Sequence, residues 1–313
     1  MALSLSSIAG GLLLLVLSAE VLVHGAAALA ERVGLSSLVI GLTVVSVGTS
    51  LPELVVSVEA AMTGRGGLAL GNVIGSNIAN IALILGLVAF VSPIAVRAQV
   101  VRTDAPLLVV ATIGVIGLLW DGGLGRVDGA ILTAGIVAYV YYTVSMARQA
   151  PPDAQTGGAP VLPTPDSVVL NGALVATGIV GLVAGAHFLV DGAVSGAAAL
   201  GVSSVVIGLS VVALGTSLPE LATSLVAAWR GQGDIAVGNV LGSSIFNLLG
   251  ILGITVLVHP LSTAALGWVE LSVMLGLAIL AVPLLRSSST LSRIEGGMLV
   301  LCYVAYMAYL VLG

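Results

Sequence analysis

Apolar residues run along this chain in long stretches, separated by short breaks rich in Gly, Pro, Ser, Arg and Asp. The stretches fall at approximately 5–29, 35–62, 68–92, 105–120, 127–147, 168–191, 203–229, 235–258, 264–285 and 294–312. About 20 apolar residues of helix cross a bilayer core of roughly 30 Å, so the pattern predicts ten transmembrane helices. Internal Gly and Pro do not argue against this, because neighbouring helices satisfy the backbone groups they free. The first stretch lacks a basic leader and is interrupted by Glu20 and His24, so it reads as a retained helix rather than a signal sequence. Residues 150–167, with five prolines and two aspartates, form the one evident linker. It separates residues 1–149 from residues 168–313, with five spans on each side.

The two halves repeat. Gly34–Gly86 aligns without gaps on Gly201–Gly253 at an offset of 167 (220 − 53 = 167), with 32 identities over 53 positions. GLTVVSVGTSLPELVVS is matched by GLSVVALGTSLPELATS, and GNVIGSNIANIALILG by GNVLGSSIFNLLGILG. Shared lipid-facing composition would repeat Leu, Val and Ala, but not Pro, Glu and Asn in register. The offset covers five spans, an odd number, so the copies enter the membrane from opposite sides. The expected fold is an all-α integral membrane protein whose ten transmembrane helices form two inverted five-helix repeats. Secondary transporters are built this way, with the binding site near the bilayer midplane. Arg32, Arg97, Arg102, Arg148, Arg230, Arg286 and Arg293 fall on one side, and Arg65 and Arg126 on the other. The larger group marks the cytoplasm, which makes 150–167 a cytoplasmic linker and puts both termini outside.

Composition narrows the function classes. The chain has 313 residues, 58% hydrophobic and 7% charged, with mean hydropathy +1.22 and net charge −5. Soluble domains carry roughly 25% charged residues, and a nucleic-acid binder would show a basic patch. A single cysteine, Cys302, excludes an internal disulfide. An intramembrane hydrolase would need a nucleophile with its base, yet HExxH and G-x-S-x-G are both missing, and the three His residues lie outside the repeated motif.

The repeated polar residues carry the chemistry. Glu53 and Glu220 lie deep in their spans, where a carboxylate costs at least about 2.5–3.5 kcal/mol. Neither repeat supplies a basic residue nearby, and two facing carboxylates match the charge of a hard divalent cation such as Ca2+. Thr49 and Ser50 precede Glu53 by four and three residues, on nearly one helix face, and Thr216 and Ser217 stand likewise to Glu220. Their hydroxyls are neutral oxygen donors suited to Na+ or to completing a Ca2+ shell. Pro52 and Pro219 disturb the preceding turn and free carbonyls there. On the next spans Asn72, Ser76, Asn80 and Asn239, Ser243, Asn247 recur at i, i+4, i+8 as one polar stripe per helix. The deeper four, Ser76, Asn80, Ser243 and Asn247, are assigned to the site, while Asn72 and Asn239 suit either helix capping or interhelical hydrogen bonding. Outside the repeated motif, Glu20 with His24 and His187 with Asp191 read as i,i+4 pairs. Asp104, Asp121, Asp128 and Asp234 read as loop or helix-end residues.

GTSLPE paired with GNxxGSxxxN, twice, resembles the cation/Ca2+ exchanger superfamily, specifically its prokaryotic sodium/calcium exchangers. The resemblance implies that Glu53, Glu220, Thr49, Thr216, Ser50, Ser217, Ser76, Ser243, Asn80 and Asn247 are cation ligands. It extends the set to the backbone carbonyls of Ser46 and Ala213. It also implies that the first and sixth helices move against the rest. Proton/calcium exchangers of the superfamily usually carry a GN-type motif where this chain has GTSLPE, so Na+ coupling is preferred. Some relatives have an aspartate where Asn247 stands.

The expected function is Na+/Ca2+ antiport across the cell membrane of a prokaryote by alternating access, without enzymatic chemistry or cofactor. Ca2+ and Na+ are the substrates and the bilayer is the surrounding partner. Neither a nucleic-acid partner nor a protein partner is implied. An H+- or Na+-coupled exchanger of another divalent cation, or a passive cation channel, would use the same ligands.

Overall fold

A computed structural model describes residues 2–149, 167–199, 213–262, 267–286 and 290–312. The linker up to residue 166 and the first part of the expected 203–229 span lie outside the described residues. The chain is helical: α1 (Ala2–Val33), α2 (Ser37–Thr49), α3 (Leu51–Met62), α4 (Gly66–Val91), α5 (Val100–Asp121), α6 (Arg126–Gln149), α7 (Val168–Ala199), α8 (Leu218–Trp229), α9 (Gly233–Val258), α10 (Trp268–Arg286) and α11 (Arg293–Leu312). A single turn, Ala213–Gly215, precedes α8.

Seven of these helices are long and apolar enough to cross a membrane among the described residues, and α2 with α3 makes an eighth candidate. The expected second span is broken: α2 ends at Thr49, α3 begins at Leu51, and the two are bent by 45°. Pro52 therefore occupies the first turn of a new helix, where its missing N–H costs nothing, rather than the interior of a continuous one. The expected 105–120 span is longer than its apolar stretch suggests, because a π-turn over Val100–Asp104 precedes it.

The same offset of 167 relates local backbone devices. α3 and α8 close on Gly64 and Gly231 at φ +72° and +73°. Arg65 N–H returns to Ala60 O at 2.8 Å and Gly64 N–H to Ala61 O at 3.1 Å; Gln232 and Gly231 repeat this on Ala227 and Ala228 at 2.8 and 3.0 Å. This is the Schellman arrangement, which needs a left-handed residue and so favours glycine. α4 and α9 each widen into a π-turn, at Ala79–Ile84 and Phe246–Ile251.

α4 and α9 form the centre of the bundle, with 78% and 83% of their most apolar windows buried, against 28% for α6 and α7 on the periphery. Leu70, Ile78, Leu85, Ile235 and Leu241 on these two helices are among the most deeply buried large side chains. Lipid-facing positions such as Val127, Ile131 and Tyr141 on α6 are exposed, as expected where the solvent is hydrocarbon.

Two short antiparallel ribbons join loops distant in sequence. β1 (Ile94–Ala95) pairs with β4 (Thr290–Leu291), and β2 (Gly123–Leu124) with β3 (Leu261–Ser262). Near the first ribbon Arg97 Nε donates to Asp234 Oδ2 at 2.6 Å. Near the second, Gly66 sits against Leu261.

α1 and α7 lie against each other through glycine. A methyl group added to Gly25 would come within 2.8 Å of Leu174 Cβ, and one on Gly178 within 2.7 Å of Leu22 N. Only residues without a side chain let two backbones approach so closely.

Candidate cation site

The helix break builds the site. At Ser50 the backbone leaves the helix (φ −86°, ψ 8°), and Ser217 does the same (φ −88°, ψ 5°). Each break leaves unsatisfied N–H groups at the start of the following helix, the favourable end for a carboxylate, and Glu53 and Glu220 occupy those first turns. Both side chains are 1% exposed.

The two breaks are cross-linked. Ser50 Oγ donates to Glu220 Oε1 at 2.7 Å, and Ser217 Oγ donates to Glu53 Oε1 at 3.3 Å. Each half thus supplies a hydroxyl to the other half's carboxylate, and the two carboxyl groups lie close enough to interact electrostatically. Glu53 Oε2 and Glu220 Oε2 are buried without a hydrogen-bond partner. The side-chain carbonyls Asn80 Oδ1 and Asn247 Oδ1 are buried and unpartnered too. Asn80 and Asn247 each occupy the second position of the π-turns of α4 and α9. Turns of this kind occur often at functional sites.

Two carboxylate oxygens and two amide oxygens accept hydrogen bonds but cannot donate them. Leaving such groups buried and unpaired costs about 1–3 kcal/mol each, more for a charge. A cation is the kind of partner that such oxygens accept, and a hard, oxygen-only donor set fits Ca2+ or Na+ rather than a softer metal.

Ser46, Thr49, Ser50, Ser76, Asn80, Ser217, Ser243 and Asn247 are buried with the two glutamates. The Ser46 carbonyl accepts from Ser50 N–H at 3.1 Å, Thr49 Oγ1 at 3.3 Å and Ser243 Oγ at 3.4 Å. Thr49 and Ser243 also lie beside the Glu220 carboxylate. The halves differ in detail. Thr49 donates to Asn239 Oδ1 at 3.1 Å, whereas Thr216 Oγ1 has no partner. Ser217 N–H turns to Leu214 O, one residue nearer than the Ser50 contact, just after the turn that Ala213 opens.

Asn72 and Asn239 act between helices. Asn72 Nδ2 donates to Glu53 O at 3.2 Å and Ser57 Oγ at 3.0 Å. Asn239 Nδ2 donates to Glu220 O at 3.3 Å and Ser224 Oγ at 2.9 Å. They fix the backbone of each glutamate from the neighbouring helix. Ser57 and Ser224, fully buried, complete this brace. The repeat contains them, but one hydroxyl a turn beyond each glutamate is a weak signal.

Two polar expectations change. Glu20 does not turn to His24 but to Arg230 on a distant helix end. Asp104, read as a loop or helix-end residue, stands at the N-cap position of the helix from Ala105 but is buried: it is 0% exposed and accepts from Tyr139 Oη at 3.2 Å. The π-turn carries it inside, which apolar periodicity cannot reveal. His187 and Asp191 do pair, at 3.2 Å.

Known proteins resemble this chain in sequence and fold. The sequence profile of the family described as sodium/calcium exchanger protein matches residues 3–145 and again 170–312. A candidate antiporter, CaxA, of Alkalimonas amylolytica is 38% identical over 303 residues, 95% of each chain. The sodium/calcium exchanger MaX1 of Methanosarcina acetivorans is 30% identical over 336 aligned positions, 96% of each chain. A solved structure of the sodium-calcium exchanger NCX_Mj, soaked with zero Na+ and Ca2+, superposes with a TM-score of 0.86 at 33% identity over 99% of both chains. Family profile, full-length relatives and superposed structure agree: this all-helical membrane chain belongs to the sodium/calcium exchanger family.

Proposed function

We propose that this protein is a secondary active antiporter that exchanges Na+ for Ca2+ across the cell membrane by alternating access. The carrying observation is the buried, acceptor-only oxygen cluster, in which one oxygen each of Glu53, Glu220, Asn80 and Asn247 has no hydrogen-bond donor. Glu53 and Glu220 balance one Ca2+. Thr49, Thr216, Ser50, Ser217, Ser76 and Ser243, with the Ser46 and Ala213 carbonyls, complete the shells of Ca2+ or Na+. Sodium ions and Ca2+ compete for overlapping oxygens. The cross-linked Ser–Glu pairs make each half's geometry depend on the load carried by the other. Exchange of access with the site emptied would expose two facing carboxylates without a counter-charge, so only loaded states move.

The architecture in this reading is ten transmembrane helices in two inverted five-helix repeats, 1–149 and 168–313, joined by a cytoplasmic linker at 150–167, with both termini outside. The separate family matches to the two halves support it. So do the two ribbons, each of which joins loops that the span count assigns to the same side.

Purified protein in liposomes tests the function. Uptake of 45Ca2+ driven by an outward Na+ gradient, and abolished when internal Na+ is replaced by choline, is expected. Uptake with no counter-ion inside would indicate a channel, and uptake driven by an outward H+ gradient without Na+ would indicate proton coupling.

A further inference from the structure

A second polar cavity, of about 430 Å3, lies away from the cation site, lined by Val96, Ala98, Val101, Arg102 and Arg286. The β1–β4 ribbon creates it by tying the approach to α5 against the region just beyond α10. Arg102 sits in the π-turn that opens α5, and Arg286 is the last residue of α10. Two guanidinium groups therefore share one cavity whose lining, among the described residues, contains no carboxylate.

The nearby acids are engaged elsewhere. Asp234 is held by Arg97, Asp104 is buried behind the π-turn against Tyr139, and Glu295 accepts from the backbone and hydroxyl of Ser292. Neither Arg102 nor Arg286 has a hydrogen-bond or ion-pair partner among the described residues. Two always-charged groups facing one space without a counter-charge among the described residues favour an anion, and the planar guanidinium fork matches phosphate oxygens.

We propose that this cavity holds the phosphate of an anionic glycerophospholipid. Phosphate is the shared chemistry of a lipid headgroup and a soluble anion, and the surroundings favour the lipid. The cavity lies at the ends of two spanning helices, at headgroup level, with apolar residues beside the arginines. Val110 and Ile113 on α5 and Ile279 on α10 are 64%, 53% and 50% exposed, offering acyl chains a surface away from the cavity. Basic pockets between helices on the cytoplasmic side suit lipid headgroups, and the Arg distribution assigns this end to the cytoplasm. A free phosphate would use the guanidinium groups alone.

Native mass spectrometry of the full chain in detergent, titrated with phosphatidylglycerol or phosphatidylcholine, tests the site. The wild type is expected to retain phosphatidylglycerol preferentially. Arg102→Gln and Arg286→Gln should each weaken that binding about fivefold and the double variant roughly thirtyfold, from about 1 kcal/mol per arginine. The double lysine variant, which keeps charge but loses the fork, should fall between, and Arg126→Gln at the other end should change nothing. Phosphatidylglycerol binding by the folded double glutamine variant within about twofold of wild type would overturn the site. Displacement of phosphatidylglycerol by millimolar inorganic phosphate would overturn the lipid assignment.

Discussion

Arg230 grips Glu20 with two nitrogens: Nε lies 2.8 Å from Oε2 and Nη2 2.8 Å from Oε1. The pair joins α1 to the end of α8, 210 residues away in sequence. With the Arg230 side chain 45% exposed, the pair contributes little to stability. Its interest lies in what it links. If α1 shifts against α8 during exchange, this fork must open. Glu20→Gln or Arg230→Gln is therefore expected to change the Na+/Ca2+ exchange rate severalfold while leaving the melting temperature nearly unchanged, and the charge-swapped double variant should restore the rate. Wild-type rates in both single variants would show that the pair does not restrain movement.

The two glutamates should be equally indispensable, because in the proposed site each carries one of the two charges opposing a dehydrated divalent ion. Glu53→Gln or Glu220→Gln removes one partner of a buried charge set, a loss of about 3–5 kcal/mol, or more than roughly a hundredfold. Liposome uptake of 45Ca2+ should fall accordingly while membrane insertion persists. Near-normal uptake by either variant would remove that residue from the site.

Asn80 and Asn247 place neutral amides where a carboxylate would add a third charge. With Glu53 and Glu220 as its charged groups, the proposed site carries −2, matched by one Ca2+, and would need no additional monovalent cation. Transport is expected to require Na+ opposite Ca2+ but to proceed unchanged when K+ is replaced by choline. Asn247→Asp should introduce a new pH dependence, because a third acid crowded against two others resists ionisation. A K+ requirement would refute the charge count, and an unchanged pH profile in Asn247→Asp would place that side chain outside the site.

Orientation is open to cysteine labelling. In a Cys302→Ala background, cysteines placed at Asp121 and at Gln155 should react from opposite faces of the membrane, with position 155 reached from the cytoplasm. Labelling of both from one face contradicts the ten-span topology.

Much of the candidate site is legible in the sequence because duplication printed it twice. Glu53 and Glu220 with their hydroxyl neighbours are recognisable because each interrupts apolar sequence at a fixed offset, and the structure buries both. What the sequence concealed is which half serves which. Periodicity places Ser50 on the face of Glu53, whereas its hydroxyl bonds Glu220, since the break redirects the chain at that residue. The π-turns were equally hidden, because one extra residue per turn leaves no compositional mark. Asp104 was misread for this reason, and Glu20 because its partner lies on another helix end.

The glycine seam between α1 and α7 has a mechanical consequence. Where Gly25 meets Leu174 and Gly178 meets Leu22, there is no layer of side chains whose rotamers can absorb displacement. Slippage between these helices would drive backbone into backbone at these points, which favours their moving together. A displacement of α1 at Glu20 would then carry α7 with it, beside which Gly48 and Gly215 rest against Ile179 and Val190, immediately before the two helix breaks that hold the glutamates.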